Sequence, residues 1–372
     1  MLQKDFRDIF LDNVLGFLWR QWSTLGVLGE ARAREPWAID PEALLVFTLE
    51  TGRYDPRLFD EVMDWLVTNG QWIDIQRLRG ILRKSSDETC RLMGAVSEFL
   101  SSQGQERKWS NLAKLCYKKI SQEPEPLFPV RYKKDVALMI TIPVDDLFSK
   151  YGFYRPMFKL SRKSREVIPT SEANIRFMLR GLFGVGSRAE CILYLLTHDA
   201  GHPSEVAKAI GISVRGAQDT LIELAKSGLV LTRIRGKRKI EYWLSQERWW
   251  EFLSKGSYEE IRRLAWIDWI SLFKALLTVW TAILEIGETT SEYMKSSKLR
   301  DAMEIVGNEF ARSGIDIPAI PGRGVRPEDY AKAFEDFIIR VFGMEAKESM
   351  SQESRVESLK SHEPDKKFED RD

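Results

Sequence analysis

One run constrains the fold of this chain more than any other: PSEVAKAIGISVRGAQDTLIELAKSGLVLTRIRGKRKIEYWL, from Pro203 to Leu244. Ser204 stands where a cap for a short helix is expected, and Val206, Ala207 and Ile210 give that helix one apolar side. Gly211 then stops it at a position that favours left-handed backbone. Ile212 plugs the turn, and Ser213 caps a second helix whose Ala217, Leu221 and Leu224 fall at i, i+4 and i+7. A small Ala207 and a glycine in a three-residue turn are what two helices need to cross closely. Gly228 ends the second helix. A strand, a basic tip at Gly236 and a returning strand follow, with Ile240, Tyr242 and Leu244 alternating onto one face. Upstream, Ser187 is read as the cap of a helix over Arg188–Thr197, whose core face is Ile192, Leu193, Leu195 and Leu196. The spacing therefore predicts three helices and a hairpin in about 60 residues.

The chain of 372 residues carries a net charge of only +1, so any anionic partner must meet a local patch. Such a patch exists: Arg233, Arg235, Lys237, Arg238 and Lys239 stand against the single acid Glu241. Residues 187–244 resemble the winged helix-turn-helix of ArsR- and MarR-type bacterial and archaeal regulators. The resemblance rests on the helix–Gly-Ile-Ser–helix run at 204–224 and on Gly228-Leu229-Val230. It rests equally on the wing pattern of Arg233, Arg235 to Arg238, Ile240, Tyr242 and Leu244. It implies that the helix after Ser213 enters the major groove of double-stranded DNA and that the wing follows the backbone. Carried over by position, Ser213, Val214, Arg215, Gly216, Gln218 and Asp219 face the bases. Arg215 suits guanine and Gln218 adenine, whereas Asp219 repels phosphate but can accept from cytosine. Gly216 permits close approach and weakens its helix by roughly 1 kcal/mol. A transcriptional regulator working as a homodimer is the implied role, because such modules read paired half-sites.

The rest of the chain is expected to be mainly α. Residues 1–120 read as a helical N-terminal domain, started by Asp40-Pro41 and Asp55-Pro56 and stopped at Gly52 and Gly70. Its further helices are Ile73–Lys84, Asp87–Ser102 and Glu106–Ile120, and its outer surface is open to a protein partner. Residues 121–180 read as a proline-rich linker and a small α/β segment, with a candidate strand at Val136–Val144 and a basic loop at 161–170. The winged module is assigned to 181–257, led in by a helix at Glu172–Leu182. Residues 258–344 read as a helical dimerisation segment with helices Tyr258–Gly287, Thr289–Ser313 and Pro327–Phe342. Residues 345–372 are polar and poor in aromatics, which predicts a disordered tail. Leu264 to Ile286 is long enough to span a bilayer, but Asp268, Lys274 and Glu285 within it favour a buried or dimerising helix. The N-terminal run carries acids and no small-residue cleavage site, so it does not read as a signal peptide.

The three cysteines, Cys90, Cys116 and Cys191, are far apart and odd in number, which suits a reducing cytoplasm rather than a disulfide framework. His198, Asp199 and His202 lie near Cys191 in sequence, but a Gly-Pro loop breaks any helical spacing, and ordinary loop roles are the better reading. Asp145 and Asp146 follow the candidate strand; such a pair holds a metal in some nucleic-acid enzymes and more often caps a turn. There is no P-loop, GxGxxG, HExxH or GxSxG run, so neither an enzyme nor a cofactor is expected. Two rivals to DNA regulation stay open. One is an antitoxin or defence-system subunit that uses the module to hold a protein. The other is a nucleic-acid-processing enzyme built on Asp145 and Asp146.

Overall fold

In the computed structural model, which describes residues 4–29, 37–117, 124–128, 143–169, 172–236, 239–254, 264–322 and 324–342, the chain is mainly α-helical. Polar caps start the N-terminal helices: α1 (Lys4–Thr24), α2 (Pro41–Thr51), α3 (Pro56–Asn69), α4 (Ile75–Leu82), α5 (Asp87–Leu100) and α6 (Glu106–Cys116). Asp40 accepts from Ala43 N–H, Asp55 from Arg57 and Leu58, Asp74 from Gln76 and Arg77, and Ser86 from Thr89. The Asp74 cap explains why α4 begins two residues after the expected Ile73. Gly52 and Gly70 do end their helices, but in right-handed conformation (φ −65° and −59°), each opening a 3₁₀ turn. Gly104, at φ +90°, reverses the chain between α5 and α6.

Part of the expected linker is packed rather than free. Glu125–Pro126 (β1) pairs in parallel with Phe153–Tyr154 (β2), and Leu127 and Phe128 are buried in the core of the N-terminal helices. Asp145 caps the short α7 (Asp146–Lys150) through Leu147 and Phe148 N–H, and its second oxygen takes Phe158 N–H at 3.3 Å. Of the candidate strand, only Pro143 and Val144 are described, and Val144 makes a single antiparallel bridge to Pro156. The basic run is a loop, clamped by its backbone: Asp64 accepts from Arg162, Lys163 and Ser164 N–H, and Asn69 from Val167.

A 3₁₀ turn at Glu172–Asn174 leads into α8 (Ile175–Phe183), α9 (Ser187–Thr197), α10 (Pro203–Ile210) and α11 (Val214–Lys226). The antiparallel strands β3 (Leu231–Arg235) and β4 (Lys239–Trp243) and then α12 (Gln246–Leu253) follow. These elements share a second core around Leu179, Leu193, Leu196, Val206, Ile210, Leu221 and Trp249.

The C-terminal helices α13 (Trp269–Glu288), α14 (Glu292–Ser313) and α15 (Pro327–Phe342) return to the first core. The long apolar helix starts at Trp269, eleven residues after the expected Tyr258, because Asp268 caps it. By length and composition α13 is apolar enough to cross a membrane, yet its apolar face is buried inside the molecule. Phe273 stacks on Phe47 at 4.3 Å, and Trp280 meets Phe10 and Tyr54. Lys274 pairs with Glu309 at 2.7 Å and Glu285 with Lys298 at 3.3 Å, so two of the three charges that argued against a bilayer have partners on α14, and the third, Asp268, is the helix cap. The helix expected to support dimerisation thus packs one side against its own chain. Four tryptophans, Trp22, Trp65, Trp109 and Trp269, are fully buried, and each indole N–H has an acceptor. The expected tail at 345–372, and residues 258–263 and 118–120 of two expected helices, lie outside the described residues; the helix from Glu106 already ends at Cys116, with Tyr117 extended.

Six buried charges join the two cores. Asp40 and Glu42 on the N-terminal side meet Arg77 of α4, Arg176 and Arg180 of α8, and Glu190 of α9. Arg77 pairs with both oxygens of Asp40, lies 2.9 Å from Glu42, and donates from Nε to the carbonyl of Ile210, the last residue of α10. Arg180 donates to Glu42 at 2.7 and 2.9 Å, to Glu190 at 2.7 Å and to the Trp72 carbonyl at 2.6 Å. Burial raises the Asp40 carboxyl, but the Arg77 and Arg176 guanidiniums outweigh it and hold Asp40 well below the usual carboxylate range. Glu190 is lowered in the same way: burial opposes, and Arg176, Arg180 and Arg77 prevail.

Candidate nucleic-acid interface

The turn between α10 and α11 is built as its sequence suggests. Gly211 has φ +76° and its N–H reaches the Ala207 carbonyl at 3.0 Å. Ser213 Oγ accepts from Gly216 N–H at 3.1 Å and caps α11. Ala217, Leu221 and Leu224 are buried, as the stripe required. Gly216 has a further use: an added Cβ would lie 3.1 Å from Ser213 Oγ, so the glycine leaves room for the cap.

Two caps differ from expectation. His202, not Ser204, caps α10: its ring nitrogen accepts from Ser204 N–H, and Glu205 reaches back to His202 N–H. Pro203 occupies the first helical position, which moves the cap one residue ahead of it. Ser187 lies inside the first turn of α9, with Gly186 in the cap position, and its Oγ bonds Thr220 Oγ1 at 2.8 Å. That bond ties α9 to α11.

The hairpin register sets Arg233 opposite Glu241 and Arg235 opposite Lys239. Glu241 is buried. Its carboxylate accepts from Arg235 at 3.1 Å and Arg233 at 3.0 Å, and these two guanidiniums, Arg235 foremost, hold it below the ordinary glutamate range. The acid that reduces the patch charge in a simple count therefore orients two of its arginines. Folding the two strands in antiparallel register about Gly236 would have found this pairing in the sequence. Gly201, in the loop between α9 and α10, exchanges backbone hydrogen bonds with Tyr242 at 2.8 and 2.9 Å, an isolated antiparallel bridge that ties the loop to the two-stranded hairpin. A Cβ on Gly201 would come within 2.7 Å of the Tyr194 ring and of Val206, so only glycine allows this approach. Tyr242 and Leu244 are buried, but Ile240 projects beyond the core opposite Ile234, which is 75% exposed.

The expected DNA-facing residues form two exposed groups. On α11, the Arg215 side chain is 93% exposed, with Asp219 3.8 Å away; Val214, Gln218 and Asp219 are exposed beside it, and Ser213 serves as the cap. On the hairpin, Arg233, Arg235 and Lys239 are exposed, while Lys237 and Arg238 lie outside the described residues. An open cleft of about 800 Å³ is lined by residues of both the hairpin and the α9–α10 loop, among them His198, Asp199, Glu205, Arg233 and Arg235. His198 stacks on Tyr194 at 3.8 Å, and burial lowers its pKa below the usual imidazole value. Cys191 is buried in the second core and His202 is spent on its cap, so His198, Asp199, His202 and Cys191 do not converge. Among the described residues no three His, Cys, Asp or Glu side chains come together as a metal site. Comparison with family models, curated proteins and solved structures found no match to this chain.

Proposed function

We propose that residues 187–244 are a winged helix-turn-helix of ArsR/MarR type and that the protein regulates transcription by binding double-stranded DNA. The observation that carries the reading is the outward, nearly unencumbered Arg215 at the start of α11, directly after a left-handed glycine turn. The order of elements supports it: three helices, a hairpin, and a single backbone bridge at Gly201 that ties the hairpin to the loop before α10. In this arrangement α11 presents Val214, Arg215, Gln218 and Asp219 to base edges, and the wing lays Arg233, Arg235, Lys237, Arg238 and Lys239 along phosphates. Glu241 pre-orients two of those arginines, which lowers the ordering cost of their contacts. Two copies on a palindromic site would read two half-sites, with surfaces other than the covered face of α13 joining them.

The test is selection of bound duplex from a genomic library, then salt titration of the recovered site. Arg235→Ala/Lys237→Ala/Arg238→Ala should lower the slope of log K against log salt by about 0.9 per lost phosphate contact. Binding that shows no preferred duplex and no salt dependence overturns the reading. A second reading, a protein-holding module, draws on one observation: the exposed Ile234–Ile240 pair at the hairpin tip. In that case Ile234→Ser abolishes partner capture and leaves DNA affinity unchanged.

A further inference from the structure

The thirteen residues on either side of Gln103 fold back on one another, because the reversal at Ser101–Gln105 makes α5 and α6 an antiparallel pair. Cys90, in the first turn of α5, and Cys116, the last residue of α6, are equidistant from that reversal. They are 26 residues apart in sequence, yet their sulfurs lie 3.1 Å apart. Gly94, one turn after Cys90, explains how the helices come so near: a Cβ there would sit 3.1 Å from the Cys116 Cβ. Cys116 is buried, while Cys90 is half-buried and reachable from solvent.

We propose that Cys90 and Cys116 form a reversible disulfide that staples α5 to α6. The oxidant class is a small-molecule disulfide such as oxidised glutathione. The Cys90 sulfur, having given up its proton to water, attacks one sulfur of that disulfide, and one glutathione thiolate leaves. Cys116, likewise deprotonated, attacks the Cys90 sulfur of the mixed disulfide and expels the second glutathione. Two protein S–H bonds are replaced by one S–S bond, and the small disulfide is reduced to two thiols. The reaction needs almost no movement of the helices, and the closed loop restricts the unfolded chain, so the oxidised protein melts higher. Cys191 takes no part. It is buried in the other core, where burial and then Glu190 push its thiol up to about 12.

The experiment equilibrates the full chain in glutathione buffers of graded redox ratio, quenches with acid, alkylates under denaturing conditions and maps peptides by mass spectrometry. The expected result is loss of two of the three alkylatable thiols, a Cys90–Cys116 linked peptide, and a monomeric chain lighter by two hydrogens. C191S behaves identically. C90S and C116S show no internal link, and their melting temperatures no longer differ between oxidised and reduced buffer. Because Cys90 is half-buried, C90S retains the fold even if C116S does not, and far-UV circular dichroism checks this. Three alkylated thiols at every ratio, a glutathione adduct that never resolves, or links only between chains would overturn the proposal.

Discussion

Replacing Arg180 with methionine removes the centre of the buried charge cluster while keeping an apolar side chain of similar length. Arg180 is inaccessible to solvent and donates to two carboxylates and one carbonyl. Its loss leaves Asp40, Glu42 and Glu190 facing only Arg77 and Arg176. Breaking one partner out of a buried ion-pair group costs about 3–5 kcal/mol. A second route to the magnitude agrees. The folded variant can relieve itself by protonating one carboxylate, which at pH 7 costs about 1.4 kcal/mol for each pH unit above the ordinary glutamate pKa of 4.5. That amounts to about 3 kcal/mol. The sign with pH follows. In the native protein Asp40 and Glu190 are depressed, so their contribution is present above the unfolded carboxylate pKa and fades as pH falls through the lower folded values. In the variant a carboxylate lacks a counter-charge, so protonation becomes easier as pH falls and the deficit against the native protein shrinks. Urea unfolding followed by circular dichroism at pH 7, 6 and 5 measures it. The expected deficit is about 3 kcal/mol at pH 7, narrowing by about 1.4 kcal/mol per pH unit. Adding Glu42→Gln should recover much of it. A deficit under about 1 kcal/mol at pH 7, or one that does not change with pH, refutes the reasoning.

Arg215→Ala should cost about 1–3 kcal/mol at one base position and relax specificity there, read by competition among single-base variants of the selected site. Gly211→Ala should destabilise by about 1–2 kcal/mol in chemical denaturation, purely through backbone strain, since an added Cβ meets nothing within 4 Å. Gly201→Ala should destabilise for the opposite reason, crowding the Tyr194 ring and Val206, and should loosen the hairpin to amide exchange at Tyr242.

Local signals were legible in the sequence because they act over a few residues. The Asp-Pro starts of α2 and α3, the Gly211 turn, the Ser213 cap and the Ala217–Leu221–Leu224 stripe each depend only on neighbours. The His202 cap was misread because Ser204 is an equally good capping side chain, and Pro203 decided between them. The partners of α13 were not legible, since a dense apolar helix looks alike whether it meets lipid, a second copy or its own chain. The charge cluster was hidden most deeply: Glu42 and Arg180 are 138 residues apart, and each alone reads as an ordinary surface charge. In the candidate interface, the exposed residues of α11 followed from helix phase, whereas the use of Glu241 required the strand register.

The six-charge junction divides unevenly along the chain. Asp40, Glu42 and Arg77 come from the N-terminal side and sum to −1; Arg176, Arg180 and Glu190 come from the other and sum to +1. Neither half is neutral without its neighbour. Cut between residues 117 and 172, the protein would yield two fragments, each with an unmatched charge on the surface it lost. Such fragments are solvated apart and electrostatically complementary together. The junction is therefore a lock that two separately expressed pieces carry in opposite sign, and reassembly of α1–α6 with the piece carrying α8 to α15, which also restores the packing of α13–α15 on the first core, should weaken as salt is raised.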